Sequence, residues 1–481
     1  MRRLLPVALL LLSLPVSART LGSLEFKPCE LAQPGSGATR QAECATLEVP
    51  EDPSRPDGRK ITLKVALAAS SAAEPAADPL VYFAGGPGQA ATEAFASAAP
   101  ALARVREKRH LLFMDQRGTG GSNPLACRAP VELDLASPSA EQQVQFAKDC
   151  RDSLDADLAM YTTSVAAADV EALRQAIGAP KLNLYGGSYG TRMAQEYARQ
   201  QPGAVRSIIL DGVVPPGLVL GSEHAINLES ALERIFANCA ERPGCQQAFG
   251  DPYRTLYALR DQVRAHPLPV NLRDPLTHQV RELRLDESAV VVIARLFAYA
   301  PETAALLPLL LDEAAKGRPQ SLVAQASLVF DSLVGMINHG MQLSVMCAED
   351  APRMQARPED KDLVLGDALI GGSLAQCSVW PKGVVSEDFH APLVTDVPTL
   401  LLSGEFDPVT PPRYAEEVAK SLGKSRHLVG AGQGHILLPR GCTPRLVGEF
   451  VDKLDPEGLD ASCLEALGPV PFFLNYNGAE P

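Results

Sequence analysis

Short apolar runs that end at turn residues recur along the chain and predict buried strands. The six clearest runs are Leu80–Phe83, Leu111–Met114, Leu182–Tyr185, Ser207–Leu210, Thr399–Leu402 and His427–Val429. Segments with the 3.6-residue periodicity of helices lie among them, over residues 164–177, 189–200, 411–422 and 443–454. Strands buried on both faces and alternating with helices are typical of a mostly parallel sheet flanked by helices. We therefore predict an α/β fold whose ligands bind beyond the carboxyl ends of the strands.

The long region between the fourth and fifth of these strands has a different pattern. Apolar residues such as Leu228, Leu232 and Ile235 recur there at helical spacing, without a clear alternation of strands and helices. We interpret this region as a helical cap inserted over the active edge of the sheet. The predicted organisation is a signal peptide, a first part of the core, the cap and a second part of the core, over residues 1–18, 19–215, 216–390 and 391–481.

The first residues are typical of an export signal. Arg2 and Arg3 precede an apolar run from Leu4 to Val16, and small residues follow up to Ala18. A membrane anchor is the alternative, but a helix that spans a bilayer needs about 20 apolar residues and this run is shorter. We expect cleavage after Ala18 and a soluble mature protein that is periplasmic or secreted.

The charge balance argues against nucleic acid as a partner. The chain has 57 Asp and Glu against 44 Lys and Arg, a net charge of −13. Loss of the two arginines with the signal peptide would leave 42 Lys and Arg and a net charge of −15. A surface of this sign repels phosphate backbones. The sequence has no CxxC pair or HExxH element, so we predict no metal site.

The ten cysteines all follow the predicted cleavage site. An even number of cysteines in an exported protein indicates disulfides. Sequence spacing does not establish connectivity, but the cysteines fall into neighbouring couples, and we expect sequential pairing: Cys29 with Cys44, Cys127 with Cys150, Cys239 with Cys245, Cys347 with Cys377, and Cys442 with Cys463.

The strongest chemical signal is a G-x-S-x-G motif between the third strand and a helix. It reads Gly186-Gly187-Ser188-Tyr189-Gly190. The glycines allow a turn so sharp that the serine side chain is presented at its apex, and the free N–H groups of the following helix favour developing negative charge. By itself the motif could be an ordinary small-residue turn. Its position after a strand and before a helix predicts that Ser188 is a nucleophile.

A serine nucleophile needs a base, and the base needs a carboxylate that orients it. His435 follows the sixth strand in a glycine-containing loop, and we predict that it is the base; His390 is a weaker competitor. Asp407 follows the fifth strand and is the predicted acid, with Glu405 as its rival.

A second glycine-rich turn follows the first strand and predicts an oxyanion hole. It reads Gly85-Gly86-Pro87-Gly88. Glycine lets a main-chain N–H approach a developing oxyanion, whereas Pro87 has no N–H to donate. We therefore predict that the N–H groups of Gly86 and Tyr189 form the oxyanion hole.

Together with the segment Asp115-Gln116-Arg117-Gly118-Thr119-Gly120, these motifs resemble the proline iminopeptidase and tripeptidyl aminopeptidase family of serine peptidases. The resemblance covers nearly the whole mature chain and implies the α/β-hydrolase fold, with a C-terminal segment like that of tripeptidyl aminopeptidases. Ala84 stands where the proline iminopeptidase pattern has a histidine, which favours the tripeptidyl aminopeptidase branch.

The resemblance implies an exported exopeptidase that cleaves peptides near a free N-terminus and needs no cofactor. Such an enzyme must recognise an ammonium group, for which carboxylates are suited. Glu349 and Asp350 in the predicted cap are the candidates, beside Cys347, although solvated surface acids are an equally good interpretation. Two alternatives remain open: an exported carboxylesterase with the same triad, and a non-catalytic binding protein on a hydrolase scaffold.

Overall fold

The computed structural model describes residues 18–34, 39–127, 139–273 and 278–479. Residues 1–17 of the predicted signal peptide lie outside this range. The strands are β1 Arg19–Leu21, β2 Leu24–Ala32, β3 Thr39–Pro50, β4 Lys60–Ala68, β5 Leu80–Phe83, β6 Leu111–Met114, β7 Leu182–Gly187, β8 Val205–Asp211, β9 Leu268–Arg273, β10 Val280–Leu285, β11 Thr399–Gly404, β12 Ser425–Gly430, β13 Phe473–Asn475 and β14 Gly478–Ala479.

The helices surround the sheet and fill the region between β8 and β11. They are α1 Ala91–Ala101, α2 Ala103–Arg106, α3 Ala140–Ser153, α4 Thr163–Ala176, α5 Tyr189–Gln200, α6 His224–Ala240, α7 Pro243–Phe249, α8 Pro252–Ala265, α9 Glu287–Phe297, α10 Pro301–Ala304, α11 Leu307–Ala315, α12 Gln320–Met336, α13 His339–Val345, α14 Ala368–Cys377, α15 Pro412–Ala419 and α16 Thr443–Lys453. Among the described residues, no helix is both long enough and apolar enough to cross a bilayer.

One ten-stranded sheet forms the centre of the fold, in the order β1-β2-β3-β4-β6-β5-β7-β8-β11-β12. The six strands from β6 to β12 in this order pair in parallel. The four strands at the other side pair antiparallel. All six apolar runs read from the sequence lie in the parallel part, so the predicted α/β fold with a mostly parallel sheet is confirmed.

The central parallel strands are mostly apolar because both of their faces are buried. Leu184 and Ile208 pack into the core on one face, while their neighbours Tyr185 and Ile209 pack into the core on the other. A strand covered on both sides has no solvent-facing positions, which explains the short continuous runs without a polar alternation.

The inserted region is mostly helical, from α6 to α14, and has a hydrophobic core of its own that includes Leu232, Ile293 and Leu307. It also contains the antiparallel hairpin β9–β10, which the sequence interpretation did not include. In β9, Leu268, Val270 and Leu272 alternate with polar residues or proline and pack into or against this core, and that two-residue alternation is the missed signal.

The end of the chain returns to the inserted region. Phe472 is buried in its core, and the N–H of Phe473 donates to the carbonyl oxygen of Ala305 at 3.1 Å. The last described residues therefore pack against the inserted region, although the sequence interpretation assigned the whole of 391–481 to the sheet domain.

Five disulfides join the cysteines in neighbouring couples: Cys29–Cys44, Cys127–Cys150, Cys239–Cys245, Cys347–Cys377 and Cys442–Cys463. The first links β2 to β3, and the fourth links α14 to a π-helical turn at Met346–Asp350. No free cysteine occurs among the described residues.

Candidate active site

Ser188 occupies a sharp turn between β7 and α5. Its φ of 55° lies in the left-handed region, which a side chain other than glycine adopts only where the surroundings enforce it. A methyl group on Gly186 would lie 2.2 Å from the carbonyl oxygen of Gly190, and one on Gly190 would lie 2.3 Å from that of Phe83. Only glycine fits at these two positions, so the motif is required by the close approach of strand, turn and helix.

His435 and Asp407 meet beside this turn, each in the loop that follows a strand. His435 Nδ1 lies 2.8 Å from Asp407 Oδ2. The Asp407 side chain is fully buried and that of His435 is 9% exposed. Because β11 and β12 are parallel neighbours, the loops after them emerge at the same edge of the sheet, which brings together two residues that are distant in sequence.

Close backbone packing connects this pair to Ser188. The N–H of Ser188 donates to the carbonyl oxygen of Asp211 at 2.8 Å. A methyl group on the next residue, Gly212, would lie 3.0 Å from Cε1 of His435. The serine turn, the end of β8 and the imidazole therefore form one contiguous group at the carboxyl ends of the strands.

Hydrogen bonds hold Asp407 as an anion. Its Oδ1 accepts the N–H groups of Val409 and Thr410, at 2.8 and 2.9 Å, and its Oδ2 accepts the hydroxyl of Thr410 at 2.8 Å. Burial by itself would raise the pKa of Asp407, but the charge of His435 and these hydrogen bonds outweigh it and lower that pKa. Burial likewise opposes protonation of His435, but the charge of Asp407 outweighs it and raises the pKa of the imidazole.

Two residues that sequence reasoning left out position the histidine loop. The Thr410 hydroxyl lies 3.2 Å from His435 Nδ1 as well as bonding Asp407. The carboxyl group of Asp211 accepts the N–H groups of Leu437 and Leu438, both at 2.8 Å, which fixes the chain just after His435. Burial raises the pKa of Asp211 to about 6. The sequence feature that could have identified Asp211 was its position at the carboxyl end of a predicted strand.

The rival carboxylate Glu405 has a different partner. Its Oε2 accepts the N–H of Gly432 at 2.8 Å, which braces the loop between β12 and His435. Of the two acidic residues in the loop after β11, Asp407 is therefore the one bonded to the imidazole.

The glycine-rich loop after β5 contacts the serine turn. A methyl group on Gly85 would lie 3.2 Å from Cβ of Ser188, and Gly86 has a φ of +108°. Gly88 is held from the inserted region, since its carbonyl oxygen accepts the main-chain and side-chain N–H groups of Asn338 at 2.9 and 3.0 Å.

Tyr189, the residue after the serine, is fixed by its phenol group. The hydroxyl lies 3.0 Å from Gln116 Nε2 and 2.5 Å from Thr163 Oγ1. The main chain of Tyr189 is thus held at the start of α5, and the Gly86 loop lies against the same turn. This arrangement can present main-chain N–H groups to an oxyanion near Ser188.

Glu349 and Asp350 lie inside the protein and are paired with Arg192 of α5. Arg192 is 3.0 Å from Asp350 and 3.4 Å from Glu349. The N–H of Thr163 donates to Glu349 at 2.6 Å, and the N–H of Leu220 donates to Asp350 at 2.9 Å. Both carboxylates are 0% exposed and already bonded, so we withdraw the expectation that they bind a substrate amine.

Within the described residues, no group of three or more His, Cys, Asp or Glu side chains is arranged to hold a metal ion. The side chains gathered at this edge of the sheet provide a hydroxyl, an imidazole and a buried carboxylate, which together are suited to acyl transfer.

A family model described as the alpha/beta hydrolase fold matches residues 78–441, most of the chain. The chain belongs to the α/β-hydrolase family. This α/β-hydrolase is similar to serine protease Hip1 of Mycobacterium tuberculosis, with 28% identity over 440 residues that cover 83% of this chain and 82% of that protein.

Two further relatives match shorter stretches of this α/β-hydrolase. Carboxylesterase B of Mycobacterium tuberculosis is 32% identical over 227 residues, 43% of each chain. Tripeptidyl aminopeptidase of Streptomyces coelicolor is 29% identical over 191 residues, 36% of this chain and 35% of that protein. The chain is thus a serine hydrolase of the α/β-hydrolase fold, and some of its relatives are named as peptidases. This agrees with the resemblance of its motifs to the tripeptidyl aminopeptidase family.

Proposed function

We propose that this protein is an exported serine exopeptidase that releases residues or short peptides from free N-termini. The observation that carries the proposal is the 2.8 Å contact between His435 Nδ1 and Asp407 Oδ2, made beside the strained turn that holds Ser188. The five disulfides support export, because such bonds persist in oxidising compartments.

The proposed reaction is acyl transfer to Ser188. Its hydroxyl oxygen attacks the scissile carbonyl carbon while His435 accepts the hydroxyl proton at Nε2. The carbonyl oxygen becomes an oxyanion that accepts the main-chain N–H groups of Gly86 and Tyr189. Asp407 stabilises the imidazolium that forms, consistent with its lowered pKa and its buried hydrogen bonds.

The second half of the reaction regenerates the enzyme. His435 donates its proton to the leaving amine, and the C–N bond breaks to leave an ester between Ser188 and the acyl part of the substrate. Water then gives a proton to His435 as its oxygen attacks the ester carbon. The C–O bond to Ser188 breaks, and His435 returns the proton to the serine oxygen, which restores the hydroxyl and releases the acyl product as a carboxylic acid.

The peptide assignment is supported by the relatives that match the chain. Serine protease Hip1 matches across 83% of the chain, and a tripeptidyl aminopeptidase matches over 36% of it. A carboxylesterase matches over 43%, which makes an exported carboxylesterase with the same three residues the second candidate.

Digestion of a peptide library followed by mass spectrometry tests the proposal. Each peptide is supplied with a free and with an acetylated N-terminus, and p-nitrophenyl esters of short acids are assayed in parallel. We expect cleavage near free N-termini only. Cleavage of blocked peptides would contradict the exopeptidase assignment, and hydrolysis of esters without peptides would favour the carboxylesterase.

Ser188→Ala is the matched control for every substrate. Loss of this nucleophile is expected to reduce kcat on the order of 10⁶-fold, as for other serine peptidases that lose theirs. A fluorophosphonate probe should label the wild-type protein and not the variant. Activity at the wild-type level in folded Ser188→Ala protein would refute the role of this residue.

A further inference from the structure

A cation and a histidine from two helices of the inserted region contact each other, and one of these helices leads to Tyr299, which packs against His435. Arg295 of α9 and His224, the first residue of α6, are joined by a contact of 3.2 Å between Arg295 Nη2 and His224 Nδ1. Both side chains are half-buried. Neither has a part in the triad or the oxyanion hole proposed above.

The end of α9 places this pair next to His435. Tyr299 follows Arg295 by four residues, and its carbonyl oxygen accepts the N–H of His435 at 2.7 Å. Its ring packs edge-on against the imidazole, with centroids 5.3 Å apart. The charge of His435 lowers the pKa of His224 and the charge of Asp407 raises it, consistent with a position of His224 on this side of the sheet edge.

The guanidinium of Arg295 has no anionic partner among the side chains that the structure describes, which do not include those of residues 330–334 in α12. No carboxylate oxygen of the described side chains lies within 4.0 Å of it, whereas the buried Arg117 and Arg192 are each paired with carboxylates. The nearby Asp407 is already saturated by His435, Thr410 and Val409. A half-buried cation without a counter-ion is costly unless a ligand supplies the charge.

His224 adds a donor of its own to this cation. Burial and then the charge of Arg295 lower the pKa of His224 to about 3, so the ring is neutral at pH 7. Since Nδ1 accepts from Arg295, the ring proton is on Nε2, which can donate. Arg295 and His224 thus provide a positive charge and two kinds of N–H donor, the set that a carboxylate binds.

We propose that Arg295 and His224 form a subsite that binds a carboxylate on the leaving side of the substrate. The proposal rests on the function proposed above, in which His435 delivers a proton to the leaving amine. Groups that flank this imidazole are therefore next to the leaving residue. Two carboxylates fit this position: the C-terminal carboxylate of a single leaving residue, or an acidic side chain just after the cleaved bond.

Three tetrapeptides separate these sources and test the subsite. Ala-Ala-Ala-Ala amide has no carboxylate, the free acid of the same peptide has a terminal one, and Ala-Ala-Ala-Asp amide has one on its side chain. Charge-assisted hydrogen bonds to one guanidinium give an expected preference of about 10- to 100-fold in kcat/KM for one or both of the anionic peptides. Arg295→Gln should abolish this preference and leave turnover of the neutral amide unchanged.

Arg284→Gln is the control, because Arg284 is an exposed arginine on β10 in the same inserted region. This variant should retain the preference. Arg295→Lys keeps the charge and should retain part of it, and His224→Gln, which keeps a donor without the ring, supplies a second variant if Arg295→Gln does not fold. Equal kcat/KM for all three peptides in wild-type protein would overturn the subsite.

A binding assay keeps this test independent of peptidase activity. Alanine, alaninamide and aspartic acid α-amide are compared as protectants of Ser188 against a fluorophosphonate probe. We expect a carboxylate-bearing amine to protect at lower concentration than alaninamide in wild-type protein and not in Arg295→Gln. If none of the three tetrapeptides is cleaved, the proposed function fails, while equal protection by all three amines refutes the subsite alone.

Discussion

The main-chain oxygen of Asp211 accepts the N–H of Ser188 at 2.8 Å, and the same residue holds the histidine loop through its carboxyl group. One residue at the end of β8 thus has a hydrogen bond to the turn that holds Ser188 and two to the chain after His435. Both the serine turn and the chain after His435 are thereby attached to the end of β8, and the precise positioning of a nucleophile and its base calls for such support.

Asp407→Asn should reduce kcat by about 10⁴-fold, because an amide favours the wrong imidazole tautomer and does not stabilise the imidazolium. It should also change the pH profile. Asp407 raises the pKa of His435, and the reaction needs the neutral ring, so the wild-type rate falls as the pH drops through that raised pKa. In the variant the fall of the rate on the acidic side of the pH–rate profile should occur at lower pH. A fall at the same pH in both proteins would contradict the role of Asp407 in raising the pKa of His435.

Thr410→Val removes the hydroxyl that bonds Asp407 and touches His435 Nδ1. Loss of a hydrogen bond to a charged group costs about 1.5–3 kcal/mol, so kcat should fall by about 10- to 100-fold. KM should change little, because the hydroxyl faces the carboxylate. Thr410→Ser restores the hydroxyl and should recover most of the rate. Equal rates for the Val and Ser variants would exclude this positioning role.

The sequence predicted those parts of the site that have a local signature. The strand, glycine turn and helix around Ser188 are contiguous, so their pattern is readable without a structure. Thr410 was not recognised because a hydroxyl three residues after an acid is an ordinary feature of turns. The burial of Glu349 and Asp350 was not foreseen either, since their partner Arg192 is more than 150 residues away in sequence.

The hairpin β9–β10 was missed for a comparable reason. Its two strands pair only with each other in a sheet of their own, and its apolar residues alternate within a region dominated by helical periodicity. The central strands were predictable because burial on both faces leaves a strong apolar signal.

Glu349→Gln tests the buried cluster on α5. Burial, together with the charge of Asp350, raises the pKa of Glu349 from its usual 4.5 to about 8. Between these values the folded protein binds more protons than the unfolded chain, so the contribution of this group to stability falls as the pH rises from 4.5 to about 8.

The measurement is urea unfolding of wild-type protein and Glu349→Gln at pH 5, 6.5 and 8. We expect the free energy of unfolding to fall less steeply with pH in the variant, because glutamine does not titrate. Glu282→Gln, at an exposed position on β10, should keep the wild-type slope. Parallel slopes for wild-type protein and Glu349→Gln would show that the carboxyl group does not have a raised pKa.

Replacing Cys347 and Cys377 together by serine should lower the free energy of unfolding by about 2–5 kcal/mol. This disulfide closes a separation of 30 residues, whereas Cys239–Cys245 closes one of 6. Because the entropy removed from the unfolded chain grows with loop length, the corresponding change at Cys239 and Cys245 should cost less. Denaturant titration of both variants under non-reducing conditions measures the two decreases in the free energy of unfolding. A larger decrease for the variant at Cys239 and Cys245 would contradict this prediction.

The bonds from Asn338 to Gly88 tie the Gly85–Gly88 loop, which we propose forms part of the oxyanion hole, to the segment between α12 and α13, whereas Ser188 is anchored to the sheet. Outward displacement of that segment would break both bonds while the nucleophile and its base stayed in place. In such an open state the enzyme would still have its nucleophile and base in position, but it would stabilise the tetrahedral oxyanion poorly. Admission of substrate and full catalytic competence would then be separate events in each turnover.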